Sequence, residues 1–143
     1  MQALALVVPR YYSIRDFEKF LSECYGVQLL SERNSSEELY ISGARPECWV
    51  SINPTGNPDD AIDWYRGSEE LDPDFQEALI NSTFFTISFT DFSLVKSVVT
   101  EILGKLSGCL NQCWVDDDYG HILKGNIFLT NALNIANWDW RKK

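Results

Sequence analysis

Histidine is nearly missing from this chain, which holds one, His121, in 143 residues. Any imidazole mechanism would have to run through that position, and a histidine-rich metal site is excluded. The motifs that announce catalysis are missing too: no Walker A loop, no dinucleotide-binding glycine fingerprint, no G-x-S-x-G elbow and no H-E-x-x-H pair. The apolar run at the amino terminus, Ala3 to Val8, is six residues long, has no positive flank before it and is followed directly by Pro9 and Arg10. It is too short for a signal-peptide core or a membrane span, so the chain is read as cytoplasmic and without a membrane partner.

Bases are scarce. Twelve Lys and Arg stand against twenty-one Asp and Glu, a net charge of -9. From Glu47 to Asp118 fourteen acids face three bases, Arg66, Lys96 and Lys105, and within that span Asp59 to Glu77 carries eight acids with Arg66 alone. A surface of this kind repels phosphate backbones, which argues against nucleic acid as a partner and for a cationic protein. Acidity also serves solubility by itself, so charge does not name the partner.

What is present is enough for one core. Hydrophobic residues make up 45% of the chain, and no linker-like tract or internal repeat divides it, so residues 1–143 are read as a single domain. Cys24, Cys48, Cys109 and Cys113 are spread through segments of different type and are read as reduced thiols. Cys109 and Cys113 with His121 would supply three zinc ligands and no fourth, and nothing flanking any cysteine marks it as a nucleophile for His121. No metal or cofactor is assigned. A carboxylate pair for acid–base work can be drawn in any chain this acidic, and so carries little information.

Periodicity supplies the elements. Residues 3–8 read as a central strand because they lack alternation. Ser13 and Asp16 resemble a capping box opening a helix over 14–25, with Phe17, Phe20, Leu21 and Cys24 on one face and Gly26 as its stop. Residues 27–32, 39–42 and 48–52 read as a meander of three strands. Asp59-Asp60 can start a short helix carrying Ile62, Trp64 and Tyr65, and Asp72-Pro73 is an N-cap and first-turn pair for another. Residues 84–89 form a strand, and Asp91 caps a long helix closed by Gly108. Two short strands, at 114–115 and 127–129, flank a hairpin connection from Asp116 to Gly125. The tail with Trp138-Asp139-Trp140 reads as a capping helix or a strap. This order predicts an α+β fold, a mainly antiparallel sheet with two principal helices packed on one face.

Two acidic segments are candidate binding faces. The first holds Asp59, Asp60, Asp63, Trp64, Tyr65, Glu69, Glu70, Asp72 and Asp74, with Phe75 beside them, and combines carboxylates with aromatic anchors. The second is Asp116, Asp117, Asp118 and Tyr119 after Trp114. On a strand Asp116 and Asp118 share a face that Asp117 does not, and the regular oxygen spacing of a calcium loop is broken by Tyr119 and His121. That leaves a solvated turn or a recognition surface anchored by Trp114 and Tyr119.

The run SFTDFSLVKSVVTEILGKLSGCLNQCWVDDDYGHILKG, 38 residues from Ser88 to Gly125, resembles small acidic bacterial immunity proteins of polymorphic or contact-dependent toxin systems. The likeness lies in a strand leading into Thr90-Asp91-Phe92-Ser93-Leu94-Val95-Lys96 and then a Trp114-Val115-Asp116 turn. It implies a protein that is not an enzyme and that neutralises a cognate toxin with a basic surface, in many cases a nuclease, by stoichiometric complex formation. Beside it stand two other readings, an acidic adaptor subunit of another bacterial complex and an enzyme with a concealed carboxylate site.

Overall fold

The computed structural model describes residues 2–31, 37–54, 72–117 and 122–140. The first strand, β1 (Gln2–Pro9), is apolar on both sides because both of its faces are covered. Leu4, Leu6 and Val8 enter one hydrophobic cluster, and Val7 enters a second on the opposite face. Helix α1 (Ile14–Ser22) begins where the Asp16 carboxylate accepts the Ser13 backbone N–H at 2.7 Å and its hydroxyl at 3.1 Å. It ends three residues earlier than the spacing predicts. The Leu21 carbonyl takes the N–H groups of Cys24 and Tyr25, and Gly26 opens the next strand instead of closing the helix.

A meander follows, of β2 (Gly26–Ser31), β3 (Glu37–Ser42) and β4 (Trp49–Pro54). Helix α2 (Pro73–Ala78) and one 3-10 turn (Leu79–Asn81) lead into β5 (Ser82–Phe89). Asp91 accepts the Leu94 N–H at 2.9 Å to start α3 (Phe92–Lys105). A 3-10 stretch (Ser107–Gln112) then reaches β6 (Trp114–Asp116), β7 (Ile122–Lys124) and α4 (Gly125–Asn134).

Among the described residues the strands form one seven-stranded sheet in the order β2-β3-β4-β5-β1-β6-β7, antiparallel throughout, so β1 is central. The protein is a single α+β domain. Among the described residues the two principal helices expected, α1 and α3, cover one face and α4 joins them: Phe17 and Leu21 of α1, Val95 to Leu103 of α3 and Phe128 of α4 share the main core with Leu39, Ile41, Val50, Ile52, Phe85 and Ile87. The opposite face carries α2, whose Phe75 and Leu79 pack with Val7, Phe84 and Trp114.

The strand expected at 127–129 belongs to α4. An apolar triplet fits either a strand or a buried helical turn, and here only Phe128 of the three is fully buried while Ile127 is 44% exposed. The partner of β6 lies earlier, at 122–124. The tail is a strap: after Asn137, at φ 57°, Trp138 and Trp140 lie on Phe128 at 5.0 and 5.3 Å, and the Lys96 ammonium donates to the Trp138 carbonyl at 2.8 Å. All four cysteines are free thiols. Among the described residues no helix is long and apolar enough to cross a membrane.

Candidate functional site

The second sheet face is organised around Trp114. It stands on β6 between Val7 of β1 and Lys124 of β7. Val115 turns into the main core, so strand alternation puts Trp114 and Asp116 on the side of α2. Asp72 caps that helix by accepting the Asp74 N–H at 2.8 Å, and Pro73 supplies a first-turn φ without wasting a donor. Six residues cannot hold a helix by themselves. What fixes this one is Phe75, fully buried, with its ring edge-on to Trp114 at 5.2 Å, and Leu79 beside it.

Lys124 ties the strand to the helix. Its Nζ lies 2.9 Å from Asp74 Oδ2 and 5.6 Å from the Trp114 ring centroid. The hydrogen bond to Asp74, and then its charge, raise the Lys124 pKa above the ordinary lysine value, so the ammonium stays charged. Asp74 is in solvent and Lys124 partly so, and bridges at such positions orient side chains more than they stabilise folds.

Beside this pair opens a cleft of about 510 Å³. Asp74 and Glu77 supply carboxylates, Asn81, Asn111 and Gln112 supply amides, and Lys124 supplies one ammonium over a floor that includes Trp114. The cleft's Ser82 hydroxyl donates to the Ala78 carbonyl at 2.6 Å and is engaged there. The Trp114 Nε1–H is buried without an acceptor among the described residues, a loss of the order of about 1–3 kcal/mol for an orphan donor.

The residues singled out from the sequence are placed as follows. Asp72 and Asp74 are exposed on the first turn of α2, and Asp116 is half-buried on the same sheet face. Asp117 is 2% exposed, so the expectation that it offers its carboxylate to a partner is corrected: one residue beyond β6 it is enclosed by the protein. Trp114 is corrected likewise. At 2% exposure it is the centre of the second core, covered by α2, and not a surface anchor. Asp59, Asp60, Asp63, Trp64, Tyr65, Glu69, Glu70, Asp118, Tyr119 and His121 lie outside the described residues, as does the expected helix from Asp59-Asp60.

Asp72 and Asp74 of the first acidic segment thus lie on the same sheet face as Asp116 of the second. Lys124, which binds Asp74, was not singled out from the sequence. Its signal was available: in a strand at 122–124 it falls opposite Trp114, and it is a lone base in an acid-rich stretch.

The thiols sit apart from this site. Cys113 is fully buried, its Sγ donating to the Cys109 carbonyl at 3.4 Å. Burial and then Cys109 push its pKa up to about 12, which keeps it protonated and a poor nucleophile at neutral pH. Comparison of the chain with protein-family models, with curated protein sequences and with solved structures finds no significant match.

Proposed function

We propose that the chain is an immunity protein, a stoichiometric and non-catalytic inhibitor that binds a cognate bacterial toxin with a basic surface. The observation that carries this reading is the concentration of charge: fourteen acids against three bases between Glu47 and Asp118, with Asp72, Asp74 and Asp116 on the sheet face away from the three larger helices. An acidic face steers a basic partner toward it and rejects acidic competitors. The likeness of residues 88–125 to immunity proteins supports the same reading.

The test is growth rescue with the toxin encoded beside this chain's gene. Co-expression restores growth, and the two proteins co-elute as a one-to-one complex. Replacing Asp72 and Asp74 by Asn slows association, and salt abolishes the difference as the Debye length falls from about 10 Å at 0.1 M to about 3 Å at 1 M. Toxicity that persists in spite of co-expression would refute the reading. A complex without growth rescue would make the chain an adaptor for some other cationic partner.

A further inference from the structure

Among the described residues the sheet has two edges, and they are defended unequally. At one end β7 is three residues long, carries Lys124 and runs directly into α4. At the other, β2 is six residues long and pairs with β3 without a bulge, from Gly26 opposite Ser42 to Ser31 opposite Glu37. Soluble proteins blunt such edges with charge, proline, bulges or short length. β2 has none of these: Tyr25 to Ser31 holds no charged residue and no proline. Gly26 and Gln28 are exposed, and no described strand pairs with the outer side of β2.

We infer that β2 is a self-association edge, pairing antiparallel with β2 of a second copy across a two-fold axis at Gln28. This goes beyond the immunity reading and does not rest on it. Residues opposed across an antiparallel pair share a face, so a continuous sheet that keeps its helices on one side can bring Gln28 against Gln28. Val27 then meets Leu29 of the second copy, twice by symmetry. Both are half-buried against the main core, so the pairing extends the apolar layer already under the helices.

Charge selects the second copy's approach. Two chains of net charge -9 repel each other. An uncharged edge lets them meet with no like charges directly opposed, and salt screens the remainder. Stable interfaces bury about 1,200–2,000 Å², and one six-residue strand pair is small beside that, so the dimer is weak, concentration-dependent and strengthened by salt.

Sedimentation of the whole chain across a dilution series, at low and high salt, reads the association. The expected result is a monomer that dimerises at high concentration, more so in salt. Gln28→Glu, at an exposed position that leaves the fold intact, sets two carboxylates face to face and weakens the dimer about fivefold. In a Cys24→Ser background, mild oxidation of Gln28→Cys yields a disulfide dimer, since directly opposed residues lie within the 4.4–6.8 Å Cα range of a disulfide. Leu30→Cys, which faces residue 26 of the other copy, does not. A monomer at every concentration, equal cross-linking from both cysteines, or a dimer indifferent to Gln28→Glu and lost on Leu133→Glu would overturn the proposal.

Discussion

Phe75→Ala tests whether α2 is held by the second core alone. The ring is fully buried and edge-on to Trp114, and truncations of this kind cost about 3–5 kcal/mol. Among the described residues the second core has five buried members, Val7, Phe75, Leu79, Phe84 and Trp114, so losing Phe75 leaves Leu79 as the one fully buried side chain that α2 and its 3-10 turn contribute. A six-residue helix then has too little to dock it, and local undocking caps the damage before the main sheet is reached. Native-state hydrogen exchange measures this directly. A loss of about 3 kcal/mol corresponds to roughly 100-fold faster exchange, expected over 73–81 but not in β1 or β5. Trp114 fluorescence should shift to the red in the same variant. Lys124→Met, which removes the ion pair with Asp74 and the ammonium over the Trp114 ring but leaves both cores filled, should change exchange far less. Equal acceleration in β1 and β5 would show that the two cores unfold together and would refute the reasoning, as would an unchanged α2.

Asp91→Ala should destabilise the fold by about 1 kcal/mol through loss of the α3 cap. The Leu94 N–H, and then Cys48, hold the Asp91 carboxyl below its ordinary value, so its contribution is full above about pH 4 and disappears as pH falls through the lowered pKa; denaturant titrations of wild type and Asp91→Asn should converge in that acid range. Trp140→Ala, removing a ring 4.5 Å from Phe92 and 5.3 Å from Phe128, should cost about 3–5 kcal/mol in urea unfolding, and a loss under 1 kcal/mol would show that the strap is ornamental. Iodoacetamide should label the exposed Cys24 in the native protein and reach the buried, protonated Cys113 only on unfolding, as peptide mass spectrometry would show; rapid native labelling of Cys113 would contradict its burial.

The helix starts were legible because capping is local chemistry. Asp72-Pro73 and Asp91 each announce a helix within three residues, and the structure uses both. β1 was legible as central because both of its faces are buried. α4 was not legible, since Lys124 at its N-cap makes no side-chain capping bond and Ile127-Phe128-Leu129 matches a strand as well as a helix. What decides it is tertiary. Phe128 seats against Trp138 and Trp140, and Gly125 passes so close to the residue before β6 that a Cβ there would stand 2.9 Å from that of Cys113. Trp114 was misread for a related reason: acids next to it in sequence say nothing about which face it occupies, and its cover arrives with Phe75, far upstream in the chain.

The unequal cover on the two sheet faces also decides which substitutions can report on binding. Among the described residues twenty-four buried side chains make the main core and five make the second, so more of the described apolar burial lies under α1, α3 and α4. Acids on the thin face carry little of that load. Asp74 is exposed and bonded to a half-buried lysine, and Asp72 contributes a cap that Asn reproduces. Loss of partner binding in the Asn variants, with melting unchanged, is therefore evidence about the interface, whereas the same loss in a Trp114 or Phe75 variant is evidence only about the fold. This is the reason the acids of α2, and not the aromatic residues beside them, are the informative positions for the proposed function.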